Sequence, residues 1–147
     1  MLAKTGAPRP VEAAAPQPVT IDTATVWRIL GLKGRASGAV AQLGPVLVSG
    51  AVTMHGRTLV PAMAYGTPIN LQQVSAERML AAGDFAIPGD KLRGLLAALA
   101  THGITAVAMH THLVDESPRV YFIHFWGDGK SADVLAGLRA ALDSVNR

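Results

Sequence analysis

Residues 104–126 read ITAVAMHTHLVDESPRVYFIHFW, two apolar, β-rich runs either side of the polar, proline-closed stretch VDESP. Val, Ile, Tyr, Phe and Trp favour extended backbone, so the stretch predicts a β-hairpin with strands at 104–113 and 119–126. Alternate residues of a strand share a face. Val107, Met109 and Thr111 then point one way, and Ala106, Ala108, His110 and His112 the other. On the second strand Tyr121, Ile123 and Phe125 oppose Phe122, His124 and Trp126. A turn about Glu116 to Pro118 sets 110 opposite 124 and 112 opposite 122, which gathers three histidines beside Phe122 and Trp126.

The flanks of this hairpin read as helices. After Pro88-Gly89-Asp90, leucines at 92, 95, 96 and 99 repeat with helical spacing and Gly103 follows as a C-terminal cap. A last helix opens near Ser131 with Val134, Leu135, Leu138, Leu142 and Val145 as its apolar stripe. Upstream, strand-like runs at 46–54, 58–65, 69–74 and 79–87 suggest an antiparallel meander. Asp22 or Thr23 can cap a short helix that ends at Leu30, with Gly31 as terminator. The segment GLKGRASGAVAQLGP at 31–45 superficially resembles a phosphate-cradling loop, yet it follows a helix and lacks the Gly-Lys-Ser/Thr ending, so it reads as a plain loop. Strands, helix, strands, helix is the order of an α+β domain, one antiparallel or mixed sheet with helices packed on one face, after a short N-terminal helix. Residues 1–22, rich in Ala and Pro, read as a flexible leader, and 23–147 as a single domain.

Composition narrows the function. Half of the 147 residues are hydrophobic and 16% are charged, which suits a packed domain and leaves room for a homodimer interface. The net charge of +3 is scattered, without a basic run or aromatic-basic interleaving, so no nucleic-acid partner is expected. The absence of cysteine excludes disulfides, thiolate nucleophiles and Cys-ligated zinc. No window approaches the roughly 20 apolar residues of a membrane helix, and the first residues lack a signal-peptide core, so the sequence as written reads as soluble and cytoplasmic. No Rossmann fingerprint and no Gly-x-Ser-x-Gly elbow is present.

The histidine face carries the chemistry. Opposed β-carbons lie about 4.5–5.5 Å apart, which lets three imidazoles reach one ion and leave an open position, the arrangement of a catalytic zinc or similar divalent metal. His110, His112 and His124 are thus candidate catalytic and metal-ligating residues, with Phe122, Trp126 and Arg119 as candidate ligand contacts. Val107, Met109, Ile123 and Phe125 suit the helices on the other face, while Ala106 and Ala108 leave space above the histidines. Glu116, longer than its neighbour Asp115, can fold back to orient a histidine or complete a metal shell. Asp84 interrupts an apolar strand, where a carboxylate needs a partner; it is a candidate general base or positioning group, with structural hydrogen bonding as the plainer alternative. His55 reads as a turn residue and His102 as a helix C-terminal one. Histidines of half-buried strands also often serve only to satisfy backbone groups.

Four stretches, TVWRILGLKGRASG, Val60-Pro61-Ala62-Met63, AAGDF and AMHTHLVDESPRVYFIHFWGDG, resemble the bacterial domain of unknown function (the DUF1259 type) typified by the mycobacterial LppY and LpqO lipoproteins. The resemblance spans roughly residues 25–145. Members carry His-Asn-His, a Pro-Arg pair and His-Phe-Trp, which correspond here to His110, His112, Pro118, Arg119, His124, Phe125 and Trp126, with Thr111 in place of the Asn. The resemblance implies a shared fold and draws attention to the three histidines. Many members resemble exported proteins; the family carries no settled activity to transfer.

Three readings stand open. The first is a small-molecule enzyme or binding protein whose pocket is floored by the three histidines and holds a divalent metal that acts as Lewis acid or activates water. The second is a metal-free acid/base enzyme, a lyase, cyclase or hydrolase, for example one performing cyclisation or carbon–carbon bond formation in secondary metabolism such as a Pictet–Spengler-type step. In the third, the apolar sheet face of a non-catalytic module mediates dimerisation.

Overall fold

The computed structural model describes residues 19–146. Most of the stretch read as a leader, residues 1–18, lies outside them. Packing begins before residue 23: Ile21 is buried in the core and its N–H donates to Gly38 O at 3.1 Å.

Helix α1 (Thr23–Leu30) starts on Asp22, whose Oδ1 accepts from Thr25 N at 3.1 Å. It stops at Gly31, where φ is +66°, a left-handed conformation that glycine adopts without a Cβ penalty. Strands β1 (Arg35–Ser37) and β2 (Val40–Leu43) follow as a hairpin about Gly38, φ +57°, where the sequence predicts a loop. The glycines that suggest a loop are the ones that permit the hairpin. A Cβ on Gly34 would stand 2.0 Å from Gln42 O, so only glycine lets the backbones approach this closely. Strands β3 (Thr53–Met54) and β4 (Arg57–Thr58) form a minimal hairpin around His55 and Gly56, both with positive φ, as a primed turn requires.

The run at 58–65 is not the expected strand. Its apolar residues include Pro61, which takes the first position of a single helical turn, α2 (Pro61–Ala64). Then come β5 (Ile69–Gln73), β6 (Arg78–Pro88), a 3-10 turn at Gly89–Lys91, α3 (Leu92–Thr101), β7 (Thr105–His110), β8 (Glu116–Ser117), β9 (Val120–Lys130) and α4 (Ser131–Val145). Six strands form one antiparallel sheet in the order β1-β2-β5-β6-β9-β7, and β4-β3-β8 form a second, small sheet. The protein is α+β, as expected.

Two cores lie on opposite faces of the large sheet. Phe85, Ile87, Ile123 and Phe125 pack with Leu95 and Leu99 of α3 and Leu135, Leu138 and Leu142 of α4, the leucine stripes of the sequence. On the reverse face Ala86, Val120 and Phe122 of the sheet pack with Val48, Val52, Ala64 and Tyr65, which come from α2 and the surroundings of the small sheet. The three long helices thus share one face, and α2 belongs to the other.

The hairpin register differs from the predicted one by two residues. His110 pairs with Phe122 and Ala108 with His124, with a bulge between Ala106 and Ala108. Directly paired residues share a face, so the bulge turns Ala106, opposite Phe125, to the helix side and brings Thr105, opposite Trp126, to the histidine side. Val107 and Met109, expected beneath the helices, are instead 58% and 56% exposed. β7 is an edge strand, and the helices do not extend over it.

A cleft beside a carboxylate–imidazole pair

On the face opposite α1, α3 and α4 the small second core covers only part of the sheet. The uncovered part is a cleft of about 670 Å³ whose floor comes from β2, β5, β6 and β9 and whose wall is the segment from Pro61 to Pro68. That wall is held by backbone bonds: Tyr65 N and Gly66 N donate to Pro61 O at 3.0 and 2.8 Å, and Thr67 N to Pro45 O at 3.2 Å. The fully buried Thr67 hydroxyl accepts from Ala86 N at 3.2 Å, which ties the wall to β6. Tyr65 is buried and its hydroxyl donates to Leu59 O, so it serves as wall rather than as a free hydroxyl.

Asp84 lines this cleft from the middle of β6, directly opposite His124 of β9. Its position follows from Gly83: a Cβ there would lie 2.0 Å from Pro68 O, so glycine permits the close approach of β6 to the chain entering β5, where Asp84 N donates to Pro68 O at 2.9 Å. Asp84 Oδ1 is paired with His124 Nδ1; the two side chains are 17% and 42% exposed. The partner that a carboxylate in an apolar strand requires is therefore a histidine. Asp84 Oδ1 is buried and has no aligned hydrogen-bond donor among the described residues, so the pair is a close contact; an imidazole that turns its Nδ1–H to this oxygen leaves Nε2 for other work.

The other two histidines continue from this pair as a row. The rings of His124 and His110 stack with centroids 4.8 Å apart and planes 16° apart, and His110 and His112 lie 4.9 Å apart at 36°. His112, in the loop just beyond β7, stacks on Phe122 at 3.7 Å and 8°, and both residues line the cleft. The shift by two residues keeps strand parity, which is why all three rings meet although the predicted register differs.

Stacked rings are poorly placed to share an ion. A metal binds in the plane of each imidazole at about 2.0–2.1 Å from nitrogen, and two stacked planes 16° apart have no common point near their nitrogens. Among the described residues no group of three or more His, Asp or Glu side chains is arranged to hold a metal ion. The donor set does not fit a single ion with the rings so disposed.

Three further candidates lie elsewhere. Glu116 does not reach the histidines: it is buried, its Oε1 accepts from Val120 N at 3.2 Å and its Oε2 lies 3.6 Å from Arg119 Nη1. Arg119 does not reach the cleft either; it donates to Leu113 O at 3.0 Å and to Val114 O, so it fastens the loop between β7 and β9. Trp126 shares the histidine face but stands outside the cleft, 45% exposed between Ala82 and Thr105. His102 Nδ1 contacts Ala98 O at the end of α3, and His55 occupies the β3–β4 turn, the places expected for both.

Sequence reasoning did not single out the cleft residues Arg35, Gln42, Met63, Tyr65 and Asn70. A signal existed for two of them, because Ala-Gln-Leu at 41–43 and Ile-Asn-Leu at 69–71 alternate apolar and polar residues and put Gln42 and Asn70 on the face away from the core. The amides meet there, Gln42 Nε2 donating to Asn70 Oδ1 at 3.0 Å.

No curated protein and no solved structure matches the chain. A family model does match residues 24–144, a span that runs from α1 into α4 and contains every cleft residue, and the chain therefore belongs to the family described as Domain of Unknown Function (DUF1259).

Proposed function

We propose that the protein binds a small organic molecule in the cleft and that Asp84 and His124 act on it as a metal-free acid/base pair. Asp84 takes a proton from the bound molecule on Oδ2 and returns it to the product, while His124 Nδ1 against Oδ1 holds the carboxylate in place. The observation that carries this reading is the pairing of a cleft-lining carboxylate with an imidazole across two central strands. The volume supports it, since ligand pockets fall at about 300–1,000 Å³. So does rigidity: a pair mounted on β6 and β9 is held more firmly than one on a loop. Proton transfer of this kind serves cyclisation and carbon–carbon bond formation alike.

The test is a library of planar fragments followed by ¹H–¹⁵N spectra of the wild type and of Asp84→Asn. Fragments with an acidic N–H or O–H are expected to shift the amide signals of Tyr65, Asn70, Asp84 and Phe122, and to bind about tenfold more weakly to the variant. Fragments that bind only at other surfaces would overturn the reading.

The metal reading keeps one favourable observation, three imidazoles in one row, and a carboxylate on a ligating histidine is itself common in metal sites. Metal content per chain after purification without chelator, compared with a triple variant of His110, His112 and His124 to Ala, separates the two. A near-stoichiometric ion that the variant loses would replace the metal-free account.

A further inference from the structure

Arg35 stands on the β1 side of the cleft, three strands from Asp84, and its exposed side chain has no hydrogen-bond or ion-pair partner among the described residues. Its direction follows from the register: Arg35 pairs with Gln42, Gln42 with Asn70, Asn70 with Ala82 and Ala82 with Trp126, so all five share the face opposite α1, α3 and α4 as one cross-strand row. Gly34, required by its contact with Gln42 O, fixes the backbone immediately before it. The planar guanidinium is suited to two parallel hydrogen bonds from a carboxylate.

Between the two charged ends the cleft is apolar in its wall and amide-lined on its floor. Tyr65 is buried in the wall, Met63 is 73% exposed, and the Gln42–Asn70 amide pair lies along the row that starts at Arg35, while Phe122 lies one strand beyond Asp84. Arg35 and Asp84 are separated by three strand spacings across and two residues along, roughly 16 Å between α-carbons. An extended arginine side chain shortens that gap to the length of a one- or two-ring molecule.

Building on the cleft as the ligand site, we infer that its ligand is a small aromatic carboxylic acid, bound with its carboxylate on Arg35 and its ring over the Gln42–Asn70 pair beside Met63, so that the far end meets Asp84. The arrangement also orients the ligand: the anionic group is drawn to Arg35 and repelled by the Asp84 carboxylate, and only the other end faces the acid/base pair.

Matched probes test this, 2-naphthoate against 2-naphthamide, titrated by ¹H–¹⁵N NMR into the wild type, Arg35→Gln and Arg35→Lys. The acid is expected to bind the wild type about tenfold or more tightly than the amide, with shifts at Asn70, Tyr65 and Phe122. Arg35→Gln should abolish the preference without changing the amide's affinity, and Arg35→Lys should restore it in part. Equal binding of acid and amide in the cleft, or a preference that survives Arg35→Gln, would overturn the anion assignment and leave the cleft as a ligand site. Failure of both probes to perturb any cleft residue would overturn the assignment together with the site.

Discussion

Asp84 and His124 are single residues whose meaning depends on each other. A carboxylate within an apolar strand is costly unless paired, and an imidazole beside it is the partner that can also move a proton. Asp22 shows the same logic in a structural setting. Its carboxyl is held below the usual carboxylate range, chiefly by its hydrogen bonding with Thr25 at the start of α1. Because the folded state lowers this pKa, the stabilisation is complete above the ordinary aspartate range and is lost as pH falls through the lowered value. Asp22→Ala should therefore unfold at a lower temperature than the wild type at neutral pH, and the difference should shrink in acid. A gap in melting temperature that persists unchanged to pH 2 would show that the cap does not work through its charge.

At the scale of elements, glycine decides more than hydrophobic periodicity does. Gly83→Ala places a Cβ 2.0 Å from Pro68 O, a backbone atom that cannot step aside, and should cost about 1–3 kcal/mol in chemical denaturation or prevent folding. Unchanged stability would mean that β6 and the chain entering β5 can separate freely at this close approach. The helices α1, α3 and α4 and the strands β5, β6 and β9 were legible because their apolar residues repeat at 3.6 or 2 residues. The β1–β2 hairpin was not, since Gly34 and Gly38 make its segment resemble a loop. Nor was α2, because Val60, Met63 and Tyr65 suit a strand until Pro61 is taken as a helix start. The two-residue shift arises in the loop 111–119, and neither its turn nor the bulge beyond it leaves a clear mark in sequence, so the register of β7 was out of reach. The three histidines were nonetheless found together, because a displacement of two residues preserves the face.

The whole molecule is a sheet with one face sealed by helices and the other only partly covered, and this asymmetry creates the cleft. Most of the cleft was invisible in the sequence because its wall, residues 61–68, and its floor, Gln42 and Asn70, come together only through non-local pairing. No helix among the described residues is long and apolar enough to cross a membrane. The two edges of the sheet differ, β1 having three residues and β7 six, with Val107 and Met109 exposed on β7. Hydrogen exchange should find the amides of β6 and β9, paired on both sides, slowest, and the outward amides of β7 fast. Equally slow β7 amides would instead favour the dimerising reading, with a second chain paired on that edge.

The central claim is that Asp84 holds the ring of His124 for proton transfer at the cleft. Long-range ¹H–¹⁵N spectra of ¹⁵N-histidine-labelled protein test it most directly, recorded for the wild type and Asp84→Asn. The account predicts that His124 carries its proton persistently on Nδ1 in the wild type and exchanges between tautomers in the variant, with His55 and His102 unaffected. A His124 ring that already averages its tautomers in the wild type, or that does not respond to Asp84→Asn, would contradict it.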